Sequence, residues 1–237
     1  HAKGRGMTEM QNLASLVSTI TDIHDMISTT QHGSQDRQSM INTILSGEKV
    51  NHAFDEILTR SYQGFDDSLL LDGGLYLPEN DKNVVNSKFD HPVDKMIWSR
   101  SQFSASFNKS PSFAPGGYLT DYYTDEAIQV IEKNKHQPFF LYLAHWAVHN
   151  PLQALKSDVE SISHHTQGHN LQVYSGMIKA LDRSVGRIVD ALEENGLTDN
   201  TLIIVTSDNG GASYIELADI NKPYRGWKLT HFEGGMH

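Results

Sequence analysis

Two hydrophobic periodicities divide the second half of the chain. Residues 120–134 and 170–194 carry apolar side chains at spacings of three and four, the repeat that lays one apolar stripe along an α-helix. Beside them stand two short runs with almost no polar residue, PFFLYLA at 138–144 and TLIIVT at 201–206. Runs of that length and character predict strands covered on both faces, as in a parallel sheet. Helix, strand, helix and strand in succession predict an α/β domain whose two strands run parallel through a helical crossover. Asn195-Gly196 is a residue pair suited to a left-handed helix cap, and Asp199-Asn200 turns the chain into the second strand.

The first half is less regular. Met10, Leu13, Leu16, Val17, Ile20, Ile23 and Met26 fall at helical spacing within 8–30, and a second helix is expected near 35–47. Neither carries a residue set with evident chemistry, so both read as scaffold. Between 62 and 115 the turn signals QGFDDS, DGGLY and LPENDKNVVN predict mostly loop. The aromatic residues of this stretch are expected to pack onto something, with the rest facing substrate.

Composition narrows the classes. The 237 residues suffice for a sizeable core, and 38% apolar with 20% charged residues argues for packing rather than disorder. Nineteen Lys and Arg against 29 Asp and Glu give a net charge of −10, which excludes a broad nucleic-acid surface but permits a local cation cluster for an anionic ester. The absence of cysteine removes disulfides, zinc-thiolate sites and a thiol nucleophile. No apolar run reaches the roughly 18 residues of a membrane span, and HAKGRGMTEMQ has no signal core. Oligomeric state is not encoded in any pattern found.

Candidate chemistry gathers where the two predicted strands end, the edge at which open α/β sheets bind ligands. HWAVHNP (145–151) follows the first and SDNGG (207–211) the second. Asp208 and Asn209 offer adjacent hard oxygens of the kind Ca²⁺ or Mg²⁺ takes, and Gly210-Gly211 lets the backbone turn sharply beside them. The same four residues also make an ordinary turn. His149 suits proton donation or the holding of an anionic oxygen, with His145 a lesser candidate four residues earlier. In NKPYRGWKLTHFEGG (221–235), Arg225, Lys228 and His231 suit an oxyanion, a solvated basic loop being the plain alternative.

Taken together, PFFLYLAHWAVHNP, YSGMIKALDRSVGRIVDALEENGLTDNTLIIVTSDNGG and NKPYRGWKLTHFEGG resemble consecutive blocks of type I sulfatases, of the arylsulfatase-like branch of the alkaline-phosphatase superfamily, in order and spacing. The resemblance runs from about Gly117 to His237, with QGFDDSLL (63–70) a weaker match. It implies an alkaline-phosphatase-like α/β fold with a mostly parallel sheet flanked by helices, incomplete at both ends. Residues 61–237 then form a partial catalytic domain, and 1–60 a helical segment of unassigned role.

The implied activity is sulfuric-ester hydrolysis of an organic sulfate, such as a sulfated carbohydrate, by a formylglycine beside bound Ca²⁺ (Mg²⁺ being possible). By matching position, Asp208 and Asn209 are implied metal ligands and His149 and Lys228 catalytic groups. His145, Arg225 and His231 remain candidate substrate contacts. The C/S-x-P/A-x-R segment that supplies formylglycine does not occur in this sequence, nor do the family's paired aspartates within residues 1–60, so the chain alone is expected to be inactive. The alternative is a non-catalytic sulfatase-like module that binds a sulfated ligand or partner. A third reading, a phosphate-ester or phosphoglycerol-transferring relative, fits the spacing after Lys228 less well. The family implies a secreted or periplasmic location.

Overall fold

A computed structural model describes residues 65–236, apart from 109 and 218. The helices expected at 8–30 and 35–47 lie outside the described residues. Residues Asp67–His237 form one compact unit. Its elements in chain order are β1 (Leu69–Leu71), β2 (Val84–Ser87), α1 (Pro92–Arg100), β3 (Ala105–Phe107), α2 (Leu119–Asn134), β4 (Leu152–Leu155), α3 (Lys156–Ile162), α4 (His169–Glu194) and a final turn of helix, α5 (Glu233–Met236). Single 3₁₀ turns occupy Thr198–Asn200 and Ser213–Ile215.

The two long helices form where the periodicity predicts. On α4 the buried positions Val173, Gly176, Met177, Ala180 and Ser184 advance by three and four, so one stripe faces inward. That stripe meets the stripe of α2 formed by Thr120, Tyr123, Thr124, Ala127 and Ile131. Burying Val173 and Met177 completely contributes roughly 2 kcal/mol each. At the end of α4 the Leu197 amide donates to the Leu192 carbonyl (2.9 Å) and the Gly196 amide to Glu193 (2.9 Å), with Gly196 at φ +66°. This is the paired closure of a left-handed cap, as Asn195-Gly196 predicts.

Polar groups lock the helices together. The Arg183 guanidinium on α4 donates to both oxygens of Asp121 on α2 (3.1 and 3.0 Å) and to both of Asp158 on α3 (2.7 and 3.0 Å). A planar fork facing two carboxylates fixes three helices at one point.

The sheet differs from the expectation. Among the described residues β1 pairs with β3 and β2 with β4, both antiparallel, Val84 standing opposite Leu155 and Ser87 opposite Leu152. The predicted strands 138–144 and 201–206 enter no ladder among the described residues. Along 138–144, residues alternate between exposed and half-buried, and Leu143 packs on the core. One face of this segment is covered and the other open. Leu202, Ile204 and Val205 are 85%, 76% and 72% exposed. Apolar runs read two-sided burial correctly only when sheet neighbours cover them, and within the described residues those neighbours are absent.

The stretch 62–115 also departs from a loop reading, since β1, β2, α1 and β3 lie within it. The strands are three or four residues long, below the length at which alternation is legible. Its aromatic residues do pack inward: Tyr76 is fully buried and stacks on Tyr118 at 5.6 Å, and Phe89 and Trp98 are buried too.

Candidate active site

Residues 145–150 form a loop whose shape is set by groups far away in sequence. The buried Tyr76 hydroxyl lies 2.9 Å from both the Trp146 and the His149 carbonyl oxygens, to which it donates. The Trp146 indole donates to the Gly74 carbonyl (3.0 Å), and the His149 amide closes a turn onto Trp146 (2.9 Å). At the far end Asn150, itself buried, donates its amide to Asp94 (3.1 Å), a fully buried carboxylate on α1 that also accepts from the Phe89 amide (2.9 Å). Burial of a carboxylate is costly unless donors meet it, so Asp94 ties this loop to α1 firmly.

His149 rests against Trp146, ring centroids 4.1 Å apart. Its Nδ1 lies 2.6 Å from the Asn150 carbonyl, an acceptor, so Nδ1 carries the proton and Nε2 is left for other partners. Burial pulls the His149 pKa below the ordinary histidine value; the bond to Asn150 opposes this, the Lys228 charge adds to it, and the Asp208 charge opposes it. Lys228 and Asp208 therefore lie near enough to act on the imidazole. Three sequence-predicted residues from three separate segments share one electrostatic neighbourhood.

The turn at 207–211 and the loop at 221–235 are joined through their backbones. The Lys228 amide donates to the Gly211 carbonyl (3.1 Å) and the Gly210 amide to Gly235 (3.3 Å). Gly211 is constrained by space: a Cβ there would stand 2.3 Å from Ile220 Cδ1. Asp208 is exposed and Asn209 half-buried. Among the described residues no group of three or more His, Asp or Glu is placed to hold a metal ion. Ca²⁺ takes six to eight oxygens, more than the side chains of Asp208 and Asn209 could offer by themselves.

The remaining candidates stand differently. His145 turns inward: its Nε2 is 2.8 Å from the Ser184 hydroxyl on α4, which in turn is 2.6 Å from Thr124 on α2. Burial lowers its pKa to about 4, against a small opposing effect of Asp121. The sequence suggests His145 as a substrate contact; in the structure its Nε2 is engaged by the α2–α4 pair and its Nδ1 is buried without a hydrogen-bond partner. Arg225 lies over the Phe232 ring at 4.0 Å, exposed, and His231 is exposed as well. Tyr76 and Asp94 were not singled out by sequence, the signal there being the aromatic and turn content of 62–115; Asn150 stands in HWAVHNP, where it was read as a turn residue and not as a tie to α1.

The family model for sulfatases matches residues 2–236. The chain belongs to the sulfatase family. Among curated proteins this sulfatase chain is 37% identical over 123 residues to the uncharacterized sulfatase YdeN of Escherichia coli (strain K12), covering 51% of this chain and 22% of that protein. To human N-acetylgalactosamine-6-sulfatase it is 37% identical over 121 residues, 50% of this chain and 22% of the relative. The chain thus spans about a fifth of the length of these relatives. The crystal structure of Ps i-CgsB in complex with k-i-k-neocarrahexaose superposes with a TM-score of 0.59 at 32% identity, over 74% of this chain and 38% of that one. The α/β architecture is accordingly alkaline-phosphatase-like, and the described sheet is a part of it.

Proposed function

We propose that this chain carries the sulfate-facing and leaving-group side of a sulfuric-ester hydrolase, with His149 and Lys228 as its reacting-site groups. The joint between the Lys228 loop and the turn after Asp208, made by the Lys228 amide on the Gly211 carbonyl (3.1 Å), with both charges acting on His149, carries the reading. An organic sulfate ester places three oxygens sharing negative charge around sulfur, and the Lys228 ammonium is suited to balance that charge as the S–O bond breaks. When a nucleophile attacks sulfur, the electron pair of the broken bond goes to the alkoxide. The proton that alkoxide needs can come from Nε2 of protonated His149, whose Nδ1 is held by Asn150. The anionic substrate itself raises the His149 pKa from its depressed value, so binding arms the acid.

Asp208 and Asn209 are proposed as part of a Ca²⁺ site, Mg²⁺ being the alternative ion, with water completing the shell. Such an ion would neutralise sulfate oxygens beside Lys228. A sulfated small molecule or carbohydrate is the proposed substrate class, in line with the family; Arg225 and His231 are proposed as outer contacts on its edge. No helix among the described residues is long and apolar enough to cross a membrane. A secreted or periplasmic location belongs to the same proposal and rests on the family alone.

Calorimetric titration of the chain with a sulfated monosaccharide tests the reading. Binding is expected, weakened at least about tenfold in Lys228→Met. Equal affinity in the variant would sink the assignment of Lys228. Addition of Ca²⁺ should give weak binding, on the order of millimolar, that disappears in Asp208→Ala.

A further inference from the structure

We infer that Asn221 is a positioning residue, fastening the loop that bears Lys228 to the turn that bears Asp208 and Asn209. Its side-chain oxygen accepts from the Gly211 amide (2.8 Å), while its amide group donates to the Gly211 carbonyl (3.0 Å) and to the Gly226 carbonyl (3.2 Å). One side chain thereby meets both backbone groups of the residue that follows the SDNG turn, and also reaches a carbonyl of the cationic loop two residues before Lys228. Of the side chains short enough to sit here, only an Asn amide offers one acceptor and two donors in one plane.

The clamp acts on Lys228 at one remove. The Gly211 carbonyl also accepts from the Lys228 amide (3.1 Å), so the residue that Asn221 pins is the residue on which Lys228 hangs. Within the loop, the Tyr224 amide donates to Asn221 (2.8 Å), the Thr230 amide to Trp227 (2.9 Å) and the Gly234 amide to Arg225 (2.8 Å), so the loop holds its own shape and Asn221 joins that shape to Gly211. The space around Gly211 agrees with a fitted joint: an added Cβ would be 3.2 Å from the Asn221 side-chain oxygen as well as colliding with Ile220. The functional meaning of the clamp rests on the proposed role of Lys228 and Asp208; the clamp itself does not.

Amide hydrogen exchange by NMR on the full chain, in Asn221→Ala and Asn221→Asp, tests this. Asp keeps the acceptor and removes both donors, and it serves if the Ala variant does not fold. In both variants the Lys228 amide, which does not touch Asn221, should exchange at least about tenfold faster, while α4 amides keep their protection. A readout that mere loosening would not move is the coupling between Lys228 and His149. Lys228→Met should shift the His149 titration in the wild-type background and shift it by less than half as much when Asn221 is Ala. Unchanged Lys228 exchange together with unchanged coupling overturns the inference, and so does loss of protection throughout α4. A wild-type His149 that ignores added sulfate would refute the proposed function instead, leaving the clamp in place.

Discussion

Acidification should weaken the fold through His145, and the size of the effect can be worked out in advance. In the folded chain this ring is held neutral with a pKa of about 4, by burial, between Ser184 and a pocket where its Nδ1 finds no partner. In the unfolded chain it titrates near the ordinary value of about 6.5. The folded pKa is the depressed one, so this contribution is complete above about pH 6.5 and is lost as pH falls toward 4. The difference of about 2.5 units corresponds to roughly 3 kcal/mol in full, of which about 2.5 kcal/mol is lost between about pH 7.5 and about pH 4.5. Urea unfolding at those two pH values, in wild type and in His145→Gln, isolates the term, because Gln can keep a hydrogen bond to Ser184 while lacking the titration. Wild type should lose about 2.5 kcal/mol more than the variant over that interval. Equal losses in the two proteins would refute the reasoning that burial at the α2–α4 contact sets the His145 pKa.

Arg183→Ala should destabilise the chain by about 2 kcal/mol in urea unfolding, because it takes both hydrogen-bond donors from the nearly buried Asp158 and leaves it Lys179 at 3.9 Å; the partial exposure of Arg183 keeps the loss below that of a fully buried pair. Met177→Ala, at a fully buried position, should cost about 3 kcal/mol, whereas Ile204→Ala, 76% exposed, should cost less than about 0.5 kcal/mol in the same assay. A large loss at Ile204 would mean that the 201–206 segment is covered in solution.

How much was legible beforehand depended on length scale. Helices α2 and α4 were read to within a residue or so because a stripe sustained over many turns leaves no other solution, and Asn195-Gly196 marked the end of α4 by its own chemistry. Strands β1 to β4 escaped notice because three or four residues are too few to show alternation, and their pairing is non-local. The apolar runs 138–144 and 201–206 revealed their burial preference but not their neighbours, which no local pattern encodes.

At the site the same division holds. His149 and Asp208 stood out because their residue types follow the ends of apolar runs, and Lys228 because it stands in a cation-rich block that matches the family. His145 was the lesser candidate beside His149, and the structure separates the two through its bond to Ser184, which is packed against Thr124. Asp94, Tyr76 and Asn221 were invisible because their work is to hold backbone in place. A residue that positions another by long-range hydrogen bonds carries no local signature.

The central claim is that His149 and Lys228 face a common sulfate. The most direct test is the ring-proton titration of His149 by NMR, with and without inorganic sulfate, in wild type and Lys228→Met. A sulfate held beside the ring should raise the His149 pKa by about a unit in wild type and by much less when Lys228 is replaced. A His149 titration that sulfate leaves unmoved would contradict the account.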